Sequence, residues 1–98
     1  MQAYELMKFL SNTTSQFIDS LNGTSLTLTV YSNRNTYNLA NKDDLRHLIY
    51  TLTTNRILFN MLNDRDKVGE IETILKCLNE IKNTDILELD NVEQSAST

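Results

Sequence analysis

The chain has few of the residues that interrupt regular structure. Its 98 residues include no proline, no tryptophan and two glycines, while 40% are hydrophobic. This composition argues against extended linkers and low-complexity segments, and its apolar content is ordinary for a globular protein. We therefore predict one compact α+β domain over residues 1–89 and a disordered polar tail over residues 90–98. A chain this short buries only about 60 to 65% of its unfolded surface, so homodimerisation would reinforce it.

Cysteine is also nearly absent. The single Cys77 cannot form an internal disulfide, and the first residues contain neither a basic region nor an apolar run of signal-peptide length. No apolar segment approaches the roughly 20 residues that span a bilayer. The sequence therefore predicts a protein of the reducing cytoplasm that has no membrane partner.

Positive charge is scarce in the last third of the chain. Residues 1–66 contain six acidic and six basic side chains, whereas residues 67–98 contain seven acidic and three basic ones. The net charge of −4 therefore arises in the C-terminal third. Nucleic acid and anionic lipid attract basic surfaces, so nucleic acid is disfavoured as a partner. A protein partner with a basic surface is the favoured alternative.

The residue types that perform catalysis are too sparse to form a recognisable site. The only histidine, His47, lies thirty residues from Cys77, and an enzyme would need these two, or His47 and a carboxylate, in one cleft. The segment Asp64–Gly69 begins like a calcium loop, but Val68 and Leu75 occupy its fifth and twelfth ligand positions. We predict that the protein is not an enzyme and holds no cofactor or metal.

Apolar residues at helical spacing predict a first helix over Ala3–Leu21. They fall within about 120° on a helical wheel; they are Ala3, Leu6, Met7, Leu10, Phe17, Ile18 and Leu21. Thr13 and Thr14 are weak helix formers in its middle. Gly23 can adopt the left-handed conformation that closes a helix.

Strict alternation then predicts a β-hairpin. Leu26, Leu28 and Val30 share one face of the first strand, as expected for a strand with one buried side. Residues 32–35 are turn formers, and Thr36–Leu39 can return antiparallel with Tyr37 and Leu39 inward.

Two further helices are predicted after Asn41, which is a suitable N-cap. The core face of the middle helix comprises Leu45, Leu48, Ile49, Leu52, Phe59 and Leu62, and that of the last helix comprises Val68, Ile71, Ile74, Leu75, Leu78 and Ile81. A short connection makes the two an αα-hairpin. Ile86–Leu89 could be a last turn, a docking segment or an edge strand. The predicted order is α-β-β-α-α, with one antiparallel hairpin packed on three helices.

A second apolar set on the middle helix points to a function. Tyr50, Ile57, Leu58 and Met61 lie away from its core stripe, and amphipathic helices seldom place large apolar side chains on a solvated face without a partner. One interpretation is a central helix covered on both sides. The other is a dimer seam or a docking face for a target protein, where Tyr and Met are typical anchors.

The functional hypothesis follows from the lack of catalytic residue types and from the second apolar set on the middle helix. We predict a non-enzymatic, homodimeric inhibitor, adaptor or regulator that binds another protein through Tyr50, Ile57, Leu58 and Met61. The alternative is a secretion-type or assembly chaperone that holds an apolar segment of its client. Twelve residues each of Asn and Thr, with no proline, associate the chain with phages and mobile elements, which would direct it at a host protein.

Overall fold

The computed structural model describes residues 3–83 of the chain, with side chains from Glu5 onward. The elements are α1 (Ala3–Asn12), β1 (Ile18–Asn22), β2 (Ser25–Val30), β3 (Asn33–Asn38), α2 (Lys42–Met61) and α3 (Arg65–Lys82). The strands form one antiparallel sheet in the order β1-β2-β3. This confirms the predicted α+β class with its β2–β3 hairpin and its αα pair, but adds one strand. The predictions for Ile86–Leu89 and residues 90–98 concern residues outside the described range.

The predicted helix over Ala3–Leu21 is wrong in its second half, because α1 ends at Asn12. Side chains at this end bond to the helix's own carbonyl groups: Ser11 Oγ donates to Lys8 O and Thr13 Oγ1 donates to Phe9 O, each at 2.8 Å. Such local bonds offer the backbone an alternative to continued helix. The segment that follows pairs with β2 as strand β1.

A β-bulge explains why β1 has the apolar spacing of a helix. Ile18 pairs with Leu28 and Leu21 pairs with Leu26, so four residues of β1 lie opposite three of β2. The extra residue shifts the alternation by one position, and both Ile18 and Leu21 therefore pack against the core. Gly23 has the positive φ of 59° that was predicted, but it lies in the two-residue turn between β1 and β2 and does not end a helix.

The β2–β3 hairpin matches the predicted alternation, and Leu26, Leu28, Tyr37 and Leu39 are all buried. Its turn, however, lies one residue earlier than predicted and is shorter. Tyr31 and Ser32 form it with positive φ angles of 52° and 68°, as a type I′ turn requires at both central residues. Asn33–Asn38 is therefore strand and contains most of the predicted turn.

Caps at both ends define α2. The side chain of Asn41 accepts hydrogen bonds from the backbone N–H groups of Asp43 and Asp44, which confirms it as N-cap. At the other end Asn63 has φ 60°, its N–H donates to Asn60 O, and the N–H of Asp64 donates to Phe59 O. These two bonds are those of a Schellman motif. The chain then reverses into α3 within three residues.

One hydrophobic core joins all six elements. Helix α2 packs on α3 and on β3, while α1 packs on α3. The buried side chains of α2 are Leu45, Leu48, Leu52 and Phe59, and those of α3 include Ile71, Ile74, Leu78 and Ile81. Leu62 was predicted to join this core, but it is 69% exposed because it follows the last turn of α2 as its C-cap.

Candidate protein-binding surfaces

The four residues predicted to bind a protein are all exposed on α2. The exposed fractions are 71% for Tyr50, 53% for Ile57, 43% for Leu58 and 77% for Met61. These four residues are called the α2 apolar surface below. Within the described part of the chain nothing covers them, and they do not belong to the core that residues 3–83 form. Whether a protein binds there stays a prediction.

The spacing of this surface follows from the helix. Tyr50, Thr54, Ile57 and Met61 succeed one another at intervals of four, three and four residues, which places them in one row over about three turns. Leu58 lies beside this row, and Thr54 contributes its methyl group because its hydroxyl donates to Tyr50 O at 3.0 Å. The row contains no charged side chain. It is therefore uncharged along its whole length.

At its C-terminal end the α2 apolar surface borders a shallow depression between α2 and α3. From α2 it is lined by Arg56, Ile57, Asn60 and Met61, and from α3 by Val68 and Glu72. An apolar side chain of a partner could rest against Ile57 and Val68 there, with Glu72 at the rim. Leu62 extends the exposed apolar area past the end of α2. The sequence assigned Leu62 to the core, and only the position of the Schellman motif identifies it as surface.

A second concave region lies between β3 and α2. This β3–α2 groove has a volume of about 360 Å³. Its walls are largely polar, with Asn33, Asn35, Asp44, His47, Thr51 and Asn55 among them, and the buried Leu28, Leu48 and Leu52 form its floor. The amide and hydroxyl groups of the walls can donate and accept hydrogen bonds without contributing net charge. Sequence reasoning did not find this groove, because its walls are far apart along the chain.

The structure places His47 in the β3–α2 groove together with Asp44. The His47 ring meets the Tyr37 ring in a tilted contact with centroids 5.9 Å apart. One carboxylate oxygen of Asp44 accepts a hydrogen bond from the backbone N–H of Asn38 at 2.9 Å, so this carboxylate joins the end of β3 to the start of α2. His47 is exposed.

Cys77 lies in a different part of the molecule. It is 3% exposed in α3, and its thiol donates to the carbonyl oxygen of Leu6 in α1 at 3.4 Å. Burial raises the pKa of the Cys77 thiol to about 11, and the nearby Glu80 carboxylate contributes to the shift. The thiol is therefore protonated at neutral pH and is a poor nucleophile. The structure does not bring Cys77 and His47 into one cleft.

The segment that begins like a calcium loop is the N-terminus of α3. Asp64 is the N-cap, and its carboxylate accepts from the backbone N–H of Lys67 and forms an ion pair with the Lys67 ammonium group. The hydrogen bond from Lys67 lowers the pKa of Asp64. The ammonium group also lies 5.7 Å from the centroid of the Phe59 ring. Within residues 3–83, His, Cys, Asp and Glu side chains form no cluster of three suited to a metal ion.

The described residues are electrically neutral as a set. Residues 3–83 contain nine acidic and nine basic side chains, and residues 84–98 contain four acidic side chains and no basic one. The whole net charge of −4 therefore belongs to the last fifteen residues. No helix within residues 3–83 is both long and apolar enough to cross a bilayer.

Comparison with protein families, with curated protein sequences and with solved structures finds no match to this chain. The functional argument therefore depends on the surfaces described above.

Proposed function

We propose that this protein is a non-enzymatic binding protein that acts on another protein as an inhibitor, adaptor or regulator. The observation that supports this proposal is the exposure of Tyr50, Ile57, Leu58 and Met61 on a helix whose opposite face is fully buried. Large apolar side chains that the core does not use stabilise a complex when a partner removes them from water. The aromatic ring of Tyr50 and the flexible chain of Met61 are the expected anchors.

Electrostatic attraction would affect the rate of association with the partner more than the stability of the complex. The described domain is neutral, while residues 84–98 carry four negative charges. A basic surface on the partner would be attracted to these charges, which would raise the association rate at low salt. The dissociation rate would depend instead on the apolar contacts.

Affinity capture with a double variant tests the proposed surface. The wild-type chain and Tyr50→Ala/Met61→Ala are used as baits in the native cytoplasmic extract, and circular dichroism checks that both are folded. We expect the double variant to lose its partner at least tenfold, because two anchors of roughly 1 to 2 kcal/mol each are removed. Phe9→Ala is the matched control, since Phe9 is an exposed apolar residue on α1. Equal recovery by wild type and double variant would show that the surface is wrong.

The alternative function is a secretion-type or assembly chaperone. The β3–α2 groove favours it, because a groove beside a strand can accept an extended client segment. A chaperone should bind its client better when the client is unfolded, and an inhibitor or regulator should bind the folded form. Titration of the captured partner in its native state and after dilution from urea distinguishes the two.

The absence of catalysis is part of the proposal. An imidazole and a carboxylate, those of His47 and Asp44, line the β3–α2 groove, so His47→Ala is the variant that tests it. Undiminished biological activity is expected. A loss of activity without a loss of the captured partner would favour an enzyme.

We further propose a homodimer that works in the cytoplasm; an origin in a phage or mobile element stays a prediction from composition. Sedimentation tests the dimer. A single species near the chain mass of 11.3 kDa at high micromolar concentration would contradict it.

A further inference from the structure

The two edges of the sheet differ in regularity. Along β1 the pairing with β2 is shifted between Ile18 and Ser20, and a bulge of this kind is a common device that prevents an edge from pairing further. Along β3 the pairing is regular over six residues, from Asn33 to Asn38. Within the described β3 edge there is no proline and no lysine, and the one charged side chain, Arg34, lies 3.6 Å from the Asp19 carboxylate of the same sheet. β3 is therefore the edge suited to accept another strand.

Two hydrogen bonds show which backbone groups of β3 point outward. The N–H of Leu39 donates to Thr24 O at 2.8 Å, so Leu39 faces β2. The N–H of Asn38 instead donates to the Asp44 carboxylate, so Asn38 faces away from β2. Backbone direction alternates along a strand, and Arg34 and Thr36 therefore also present their N–H and C=O groups at the outer edge.

This outer edge is accessible over a short stretch. Arg34, Asn35 and Thr36 are exposed, and no described residue forms a hydrogen bond with the backbone of Arg34 or Thr36 apart from the pairing within the sheet. The stretch ends at Asn38, whose outward N–H the Asp44 carboxylate already covers. Four backbone groups, two donors and two acceptors, thus have no partner among residues 3–83 and are available to a partner strand.

We propose that β3 pairs antiparallel with β3 of a second copy of this chain, across a two-fold axis that passes beside Asn35. This inference assigns a surface to the homodimer of the proposed function. In this register Arg34 lies opposite Thr36 of the second copy, and each such pair exchanges two N–H···O=C bonds. Every open backbone group of both edges is then satisfied. Two three-stranded sheets become one sheet of six strands.

The side chains suit this pairing. Arg34 lies opposite a neutral residue and not opposite its own copy, and its guanidinium already lies 3.6 Å from the Asp19 carboxylate. Asn35 lies opposite Asn35 of the second copy on the groove side, where two amides can bond to each other. The neutrality of residues 3–83 adds no net repulsion between two domains.

Pairing at this edge leaves Tyr50, Ile57 and Met61 of the α2 apolar surface for a different protein. Thr51 and Asn55 line the groove, whereas Tyr50 and Ile57 lie on the helix about 100° or more around its axis from them. The inferred dimer would present two copies of the row that contains these three side chains.

Site-specific disulfide formation tests the register. In Asn35→Cys the two new thiols belong to a directly opposed pair with α-carbons about 4.5 Å apart, which suits a disulfide. In the control Asn33→Cys, on the same strand and face, the two α-carbons lie about 14 Å apart and cannot be bridged. With mild oxidation of the full chain at the same concentration, we expect Asn35→Cys to form covalent dimer at least tenfold faster. Cys77 is buried in both variants. Equal rates would overturn the proposal.

Hydrogen exchange on the wild-type chain gives a second measurement that needs no substitution. On concentration from about 1 μM to 1 mM, the amides of Arg34 and Thr36 should exchange at least tenfold more slowly, while that of Thr27 on the central strand should not change. The wild-type chain could instead form a dimer in which these amides are not protected, and Tyr50→Ala/Met61→Ala could abolish that dimer. This result would place the dimer interface on α2 and overturn the proposal. Protection that depends on adding a different protein would overturn it too. A chain that stays monomeric over this whole concentration range would overturn the dimer proposal. The proposed binding of another protein would still be tested separately by the affinity-capture experiment.

Discussion

The Tyr31 ring stacks on the Phe59 ring, with centroids 5.1 Å apart and planes inclined by 22°. Tyr31 reaches this position from a turn where its φ is 52°, a conformation that bulky residues rarely adopt. Phe59 in turn contacts Phe17 at 5.8 Å. The stack therefore connects the tip of the β2–β3 hairpin to the C-terminal part of α2. This contact offsets the unfavourable φ of Tyr31 in the turn.

Substitutions in this turn should separate the energetic cost of its positive φ angles from the stabilisation that the Tyr31–Phe59 contact provides. Ser32→Gly should stabilise the fold by about 0.5 to 1 kcal/mol, because glycine adopts a positive φ without steric cost. Tyr31→Ala should destabilise it by about 1 to 2 kcal/mol, since it loses the stack and keeps an unfavourable φ. Urea denaturation measures both. Ser25→Gly in strand β2 is the control and should destabilise, and a loss of stability in Ser32→Gly would contradict this account of the turn.

The connection between α2 and α3 makes a similar prediction at Asn63. Its φ of 60° is tolerated by asparagine and favours glycine. Asn63→Ala should lower the free energy of unfolding by about 1 kcal/mol, whereas Asn63→Gly should leave it unchanged or slightly higher. Thermal unfolding of the two variants measures the difference. Equal stability of both would show that this conformation costs little.

Glu70 should make stability depend on acid pH. Its carboxylate accepts from the Gln16 backbone N–H at 2.9 Å and from the Gln16 side-chain amide at 2.7 Å. Burial opposes ionisation, but these bonds and one with Ser15 outweigh it, and the pKa of Glu70 is lowered overall. A lowered folded-state pKa stabilises the fold above the unfolded value near 4.5, and this contribution is lost as pH falls through the folded value.

Glu70→Gln should therefore destabilise the protein by about 1 kcal/mol at pH 7, with a smaller difference at pH 3. Urea midpoints measured across this range give the comparison. Glu72→Gln changes an exposed carboxylate on the same helix and should show little effect at either pH. If the difference in unfolding free energy between wild type and Glu70→Gln stays constant from pH 7 to pH 3, the assigned hydrogen bonds are contradicted.

Cys77 should be unreactive in the folded chain. Its burial and its pKa of about 11 keep the thiol protonated and shielded at pH 7. We expect a disulfide reagent to modify it at least 100-fold more slowly in the native protein than in urea. Cys77→Ala should cost about 1 kcal/mol through the lost packing. Rapid native labelling would instead indicate an accessible, activated thiol.

The regular periodicities of the sequence predicted most of the fold. The alternation of Leu26 and Leu28, the N-cap at Asn41 and the apolar stripe of α3 each correspond to a structure that local physics favours. The segment from Phe17 to Leu21 was misread because a bulge gives a strand the three-residue spacing of a helix. The Asn22-Gly23 pair was an available signal for a hairpin. It was not decisive, because the same dipeptide also ends helices.

The sequence by itself determined that Tyr50, Ile57, Leu58 and Met61 lie off the core stripe of α2, because a helix places residues at fixed angles around its axis. It also determined that the negative charge is concentrated near the C-terminus. Only the tertiary structure decided that the other elements leave this side of α2 uncovered, and that the outer edge of β3 is exposed beside a polar groove. The physical reason is that exposure and edge pairing depend on where distant segments pack, and periodicity describes one segment at a time.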